Sequence, residues 1–540
     1  MKRYYISLCV VGLALLLGAC TKNFERYNTD NTGLSNGQLG ADFNDLGAYL
    51  KTAEMSIINF SGGGDPNSYQ LQQNLNADCY SGYMMSPTPF NGGLNNLNYF
   101  LVNGWNGEPF KVGYLNIMSP IRKLRNNGVN KNFPAVWAVA QIVQVAGMSR
   151  LTDIYGPIPY SQAGGSKTDV AYDSQQDVYN RFFLELDSAT TNLRTYLSGT
   201  DTLPFNFANF DLVYSGNFNK WLQFANSLRL RLAMHIVRAD PATAKAQAEK
   251  ALDPANGGVI TSNDGNMTVK MSGAGLTNPL VFIAQNWADT RIGASIISYM
   301  TGYNDPRTSR YFDKSTDAAF PAQYIGIRIG SITGSNSKDD YVGYSSINYK
   351  NGSPSFSLTT PVQIMTAAEV YFLRAEVAVR NWANAGSTAQ TLYEQGINTS
   401  MTQWGATVGN YVSDTTGKPA DYKDPKNAAN DINALSDIRI QWDDAADIDH
   451  KMERIITQKW IAMFPEGQEA WTEYRRTGYP KLFPVVNNNS GGTISTDVQI
   501  RRLPFPQNEY NTNATEVNKA IQLLGGADNG GTRLWWDSKQ

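Results

Sequence analysis

Asp447-Ile448-Asp449-His450 places two carboxylates within three residues of an imidazole, a set from which a hydrolytic triad could be drawn. The other histidine, His235, closes the run Arg229-Leu230-Arg231-Leu232-Ala233-Met234-His235, which reads as a structural helix with a partly buried imidazole. A triad is defined by geometry, not by order along the chain. Carboxylate pairs for glycoside hydrolysis can be drawn anywhere among 47 acidic residues, so they mark no reaction centre. Two histidines and three cysteines are too few for the usual zinc ligand sets. Thr261–Thr268 and Asp528–Asp537 carry Asp, Asn and Gly in runs that could ligate calcium, but without the spacing of a calcium loop. Both read as turns, and no metal or other cofactor is expected. Arg475-Arg476 and Arg501-Arg502 read as structural ion pairs, and a net charge of −2 argues against nucleic acid as a partner.

Cys20 is the one side chain whose surroundings specify a reaction. Lys2 and Arg3 give a basic start, and Ile6–Leu17 is almost wholly apolar. That run is too short to span a bilayer, which takes roughly 20 apolar residues, but it fits the core of a signal peptide. Leu17-Gly18-Ala19-Cys20 resembles the lipobox of bacterial lipoproteins, in which the cysteine is lipidated and the chain is cut before it. Residues 1–19 are then a lipoprotein signal peptide, and residues 20–540 form a single domain that begins at the acylated Cys20. Thr21 in place of an acidic residue favours the outer membrane in the lipoproteins it resembles. No later run is long and apolar enough to cross a membrane. Cys9 leaves with the signal peptide, so Cys79 stands alone and no internal disulfide can form.

The elements behind these residues are mostly helical. Charged residues make up 17% of the chain against a typical ~25%, and Asn, Gly, Ser, Thr and Tyr fill the gap. Apolar residues three and four apart predict helices over 41–60, 133–155, 176–197 and 219–239, and again over 361–382 and 387–405. Gly156-Pro157 stops the second of these, and Pro241 opens a further one. Residues 61–110 and 257–361 read as loops with a few short strands and one helix near Ile296. The helices around Ala375 and around Leu392, Tyr393 and Ile397 suggest a helical hairpin of the tetratricopeptide type, small residues against large.

The stretch 450–480 holds Gln458-Lys459-Trp460, Glu466-Gly467-Gln468-Glu469-Ala470-Trp471 and Arg475-Arg476-Thr477-Gly478-Tyr479-Pro480 in that order. This resembles the C-terminal signature of the SusD/RagB family of outer-membrane nutrient-binding lipoproteins, closest to its SusD-like group. The blocks at 21–30, 150–161, 367–380, 501–513 and 530–537 agree, so the likeness runs from Cys20 to Asp537. It implies a mostly α fold, with tetratricopeptide-like helix pairs packed against a loop-rich irregular region with few short strands. It implies a non-enzymatic protein lipid-anchored in the outer membrane, facing the cell exterior. Its role there is the lid and delivery subunit of a SusC-like TonB-dependent barrel transporter, with an oligosaccharide or a peptide as ligand.

Glycans are bound by flat aromatic faces flanked by hydrogen-bonding groups. The aromatics of the loop-rich stretches are therefore the candidates: Tyr80, Tyr83, Trp105 beside Asn103, Trp287, Tyr303 and Tyr324. Trp105, in Asn103-Gly104-Trp105-Asn106, resembles the region that supplies binding aromatics in the family. Two other functions compete: a surface lipoprotein enzyme, either glycoside hydrolase or peptidase, and a tetratricopeptide-type scaffold. Turnover separates the first from a binding lid, and binding of small oligomers separates the second.

Overall fold

The computed structural model describes residues 43–60, 66–164, 169–271, 276–331, 335–350 and 354–537. The expected signal peptide and Cys20 lie outside them. The chain divides into compact units Met1–Ala48 and Tyr49–Gln540, and the second carries the fold and the site. No helix among the described residues is long and apolar enough to cross a membrane.

The longer helices are α1 (Asn44–Ser56), α2 (Asn103–Val112), α3 (Pro134–Tyr155), α4 (Gln175–Ser198), α5 (Phe218–His235), α6 (Pro241–Leu252), α7 (Ala294–Gly302), α8 (Ala367–Val379), α9 (Ala389–Gln403), α10 (Ile448–Met463), α11 (Gly467–Thr477) and α12 (Ala514–Leu524). Most open on a residue whose side chain accepts from the first turn: Ser174, Asn217, Asp240, Thr366, Thr388 and Asp447 all do so. Gly156 ends α3 and Gly478 ends α11, both at positive φ where a side chain would be strained. Consecutive helices pack as α3 on α4, α5 on α6, α8 on α9 and α10 on α11, and the pairs stack through α4 on α5 and α8 on α10. This is the expected tetratricopeptide-like array. Ala375, Leu392, Tyr393 and Ile397 are all buried in the α8–α9 hairpin. The closest small-against-large contact there is Gly396, where an added Cβ would sit 2.7 Å from the Phe372 ring.

The other half is irregular, held by three antiparallel two-stranded ribbons: β1 (Met84–Met85) with β3 (Arg291–Ile292), β2 (Met267–Val269) with β6 (Val362–Met365), and β4 (Phe312–Asp313) with β5 (Ser346–Ile347). Two local expectations change. Residues 362–365 form strand β6 rather than the first turn of α8: Val362 and Ile364 suit an extended chain, and Thr366 caps α8 only after the strand has ended. Residues 103–112 form helix α2 rather than loop. Burial of Asn106, Pro109, Phe110 and Val112 on one side outweighs the poor helix propensity of Gly104 and Gly107. Cys79 is free and buried, with its thiol on the Asn74 carbonyl at 3.2 Å.

The residues of the 450–480 stretch build the centre of the fold. Arg231 from α5 holds Glu369 of α8 in a bidentate pair at 2.7 and 2.6 Å. Arg476 of α11 holds Glu376 of α8 at 2.8 and 2.8 Å. Lys459 of α10 lies 3.2 Å from Glu473 and 3.8 Å from Glu469 of α11. All of these side chains are buried, so each charge depends on its partner. Gly467 opens α11 against Asp78, where a Cβ would come within 2.3 Å of the carboxylate. The arginine pairs are structural as expected, with one exception. Arg501 pairs Asp537, Arg502 pairs Asp528 and Arg476 pairs two glutamates. Among the described residues Arg475 has no carboxylate within ion-pair reach; it lies 3.5 Å over the Trp471 ring and 4.9 Å from Trp536. Its guanidinium donates to the carbonyls of Asp153 and Arg501 at 2.6 and 2.8 Å. Burial pulls this arginine down to about 9 against the nearby Asp153 and Asp537.

Candidate functional site

Three of the six candidate aromatic rings are core. Tyr80 is 3% exposed, against Trp471 at 5.2 Å, with its hydroxyl donating to the Asn96 carbonyl at 3.1 Å. Tyr83 is 0% exposed, stacked on Trp460 at 5.3 Å with its hydroxyl on that residue's carbonyl. Tyr303 is 1% exposed and donates to the Ile438 carbonyl at 3.0 Å. A ring covered on both faces by protein cannot stack on a sugar. These three are therefore core, covered by partners distant in sequence that local sequence does not reveal.

Trp105, Trp287 and Tyr324 are half-exposed, and Asn103 is exposed. Trp105 sits in the first turn of α2, two residues after Asn103, and the Phe90 ring meets it edge-on at 5.6 Å and 84°. Phe90 opens the turn Phe90–Gly93, in which Asn91, Gly92 and Gly93 all have positive φ. The turn is fastened by asparagines. Asn95 donates to the Phe90 carbonyl at 2.9 Å, and Asn91 to the Leu94 carbonyl at 2.7 Å. Buried Asn96 then ties the turn to α2: its amide donates to Asn106 at 2.9 Å and accepts from the Val102 N–H at 2.7 Å. The asparagines that make this stretch look like flexible loop are thus a hydrogen-bonded frame beneath Trp105.

Trp287 ends a wide helical turn, Ile283–Trp287, and Phe282 meets it edge-on at 5.6 Å and 89°. Lys338 donates to the Trp287 carbonyl and to Asp289, each at 2.6 Å. Asp289 also accepts from Thr88, two residues before Phe90. One side-chain bond thus joins the Trp105–Phe90 corner to the Trp287–Phe282 corner, although the two lie far apart in sequence. Tyr324 is held differently, with Lys314 5.5 Å from its ring centre. Phe90, Phe282, Asp289 and Lys338 were not singled out from the sequence; only the turn residues after Phe90 hinted at the first.

The arrangement offers two aromatic edges and faces, an ammonium, a carboxylate and amides at a surface. It can stack on sugar rings and bond hydroxyls. His450 is exposed in the first turn of α10, its ring 2.8 Å from the helix-capping Asp447. His235 is buried between Glu469 at 2.9 Å, Asp153 at 3.3 Å and the Tyr179 hydroxyl at 3.0 Å. Burial alone would lower the imidazole, but Glu469 and Asp153 outweigh it and raise it to about 9. His235, Glu469 and Glu473 come close enough to hold a metal ion. Lys459 and Arg231 already face those carboxylates, however, with Arg231 3.6 Å from Glu469. A metal ion would meet two fixed cations, so the residues present do not fit one.

The family model for SusD-like proteins, described as the Susd and RagB outer membrane lipoprotein, matches residues 26–537. No curated protein matches the chain. Among solved structures, a chitin-binding SusD homolog from Flavobacterium johnsoniae is 42% identical, with a TM-score of 0.86 over 92% of this chain and 99% of that one. A SusD homolog from Bacteroides vulgatus is 38% identical, with a TM-score of 0.85 over 93% of this chain and 99% of that one. A second chitin-binding protein is 27% identical, with a TM-score of 0.70 over 91% of this chain and 100% of that one.

Proposed function

The chain belongs to the SusD and RagB family of outer-membrane lipoproteins, and from that premise we propose that it is a surface-anchored glycan-binding protein that delivers its ligand to a TonB-dependent barrel of the SusC type. The observation that carries the reading is the surface on which Trp105 with Phe90 and Trp287 with Phe282 are joined through Thr88 and Asp289. Half-exposed rings fixed from beneath are preorganised for stacking, so little ordering is required on binding. The likeness to a chitin-binding homolog favours a β-linked N-acetylglucosamine oligomer as the ligand. Glycan and peptide arrays with the chain from Cys20 onward are expected to return chito-oligosaccharides, and a product assay on the same ligands is expected to show no cleavage. Release of shorter sugars or peptides would favour the surface-enzyme reading instead.

Cys20 is the proposed anchor, and the exterior leaflet the proposed place. Replacing Cys20 with alanine should move the protein from the outer-membrane fraction to a soluble one, or leave the signal peptide uncut. Unchanged fractionation of that variant would rule out lipid anchoring.

A further inference from the structure

A groove of about 630 Å³ opens between α2 and the short helix Gln507–Thr512. Its volume lies well inside the range of small-molecule sites, roughly 300–1,000 Å³. Asn103, Gln507 and Asn508 bring exposed amides to it, and Pro159 and Leu115, the latter 60% exposed, bring aliphatic surface. Its walls are fixed. Tyr114 donates to the Pro159 carbonyl at 2.6 Å and lies 4.6 Å from Phe110. The Asn513 amide donates to the Val170 carbonyl at 3.0 Å. Three charged residues line the groove. Glu108 and Lys111 pair with each other at 3.2 Å, and Glu509 already holds the Tyr172 hydroxyl at 2.8 Å. Such a lining suits an uncharged ligand with hydroxyl groups and C–H faces.

The groove adjoins the Trp105 corner. Asn103 and Gly104 line it, and Trp105 is the next residue of the same helix. Residues three apart on a helix are neighbours on its surface, so Trp105 stands beside Glu108, which also lines the groove. The floor between them is low, because Gly104 and Gly107 present only backbone there. A Cβ added at Gly104 would meet nothing within 4 Å, and one at Gly107 would meet only the Pro506 Cβ, at 3.6 Å. Glycine costs a helix stability, but it lets a ligand lie close against the backbone.

We propose that this groove holds the continuation of a glycan whose first ring stacks on Trp105, so that the protein selects long oligosaccharides over short ones. A chain crossing the first turn of α2 leaves the indole, passes over the glycine floor and meets the exposed amides and the Leu115 side chain beyond it. The inference rests on the glycan-binding reading and adds to it a length requirement, set by the α2 glycines and Leu115 rather than by the stacking tryptophans.

Titration of the chain from Cys20 onward with chito-oligosaccharides of two to six sugars tests it; if the arrays return another glycan, the same lengths of that glycan are used. Affinity should rise with length in the parent. Gly104→Phe puts a ring into the open space above the floor, and Leu115→Asp puts a charge on the wall. Both positions are exposed, and melting curves check the fold of each variant. Each is expected to weaken the hexasaccharide about tenfold, the worth of one or two hydrogen bonds, and to leave the disaccharide unchanged, whereas Trp105→Ala should weaken both. A hexasaccharide that binds either variant as tightly as the parent overturns the proposal, since any gain with length then belongs to the Trp287 side. An equal loss for both lengths overturns it too, since the effect then falls on Trp105. In either case a loss of affinity in Trp105→Ala leaves the glycan-binding reading standing; if the parent binds no array member, both fall.

Discussion

Trp105→Ala is expected to weaken glycan binding about 30-fold while the thermal midpoint stays within a few degrees. A loop or edge aromatic at a binding hot spot is worth 2 kcal/mol or more, which corresponds to about 30-fold in affinity. A buried tryptophan would instead cost roughly 3–5 kcal/mol of stability on truncation. Trp105 is partly exposed and the Phe90 ring meets it edge-on, so the loss should fall more on the ligand than on the fold. Trp287→Ala should behave the same way, and the double variant should bind below detection. Calorimetric titration with a chito-oligosaccharide, paired with a melting curve, separates the two costs. A large drop in midpoint with undiminished affinity at low temperature would place Trp105 in the core and move the binding surface to Trp287.

Glu469→Gln should destabilise the fold by about 3–5 kcal/mol, the usual cost of removing one partner from a buried ion pair. The substitution is nearly isosteric, but it removes the charge that faces His235 at 2.9 Å and Lys459 at 3.8 Å, leaving both buried and less well compensated. Lys423→Gln, on the surface pair with Asp431, is the control and should change the midpoint little. The same network fixes a pH dependence. His235 is raised to about 9 in the fold, against about 6.5 in an unfolded chain. Its contribution is therefore fully present below pH ~6.5 and is lost as pH rises through about 9. Melting curves between pH 6 and 10 should fall on the alkaline side in the parent, and fall less in Glu469→Gln. A variant that melts with the parent across that range would mean the network is not coupled as its geometry implies.

The long helices were legible because their signals are local. Pro134 and Gly156 bracket α3, and Asp447 sits one residue before α10. The block around Gly467 could be matched to a family from the sequence, but its reason could not be read there, since the clash it avoids is with Asp78, nearly 400 positions earlier. Strand β6 was taken into the following helix because only its pairing with Met267–Val269 distinguishes it. Helix α2 was hidden by Gly and Asn, whose usual meaning was reversed by burial and by the Asn96 side chain. At the site, residue type identified Trp105 and Trp287 but not which tyrosines were covered. Tyr80, Tyr83 and Tyr303 are hidden by Trp471, Trp460 and Ile438, and no spacing rule connects those positions. Arg475 was read as half of an ion pair because charge is visible in a sequence and a sandwich of two indoles is not.

The indole that closes that sandwich comes from the far end of the chain. Trp536 donates to Asp153 at 2.8 Å, and the neighbouring Trp535 N–H to Gln175 at 3.0 Å. Asp153 also receives the Tyr179 hydroxyl at 2.7 Å, so one buried carboxylate of α3 gathers donors from α4 and from position 536. Local helices form early, but closing a loop of several hundred residues is slow and late, so this corner of the helical array acquires its last hydrogen bonds and its second indole only once Trp535 and Trp536 have docked.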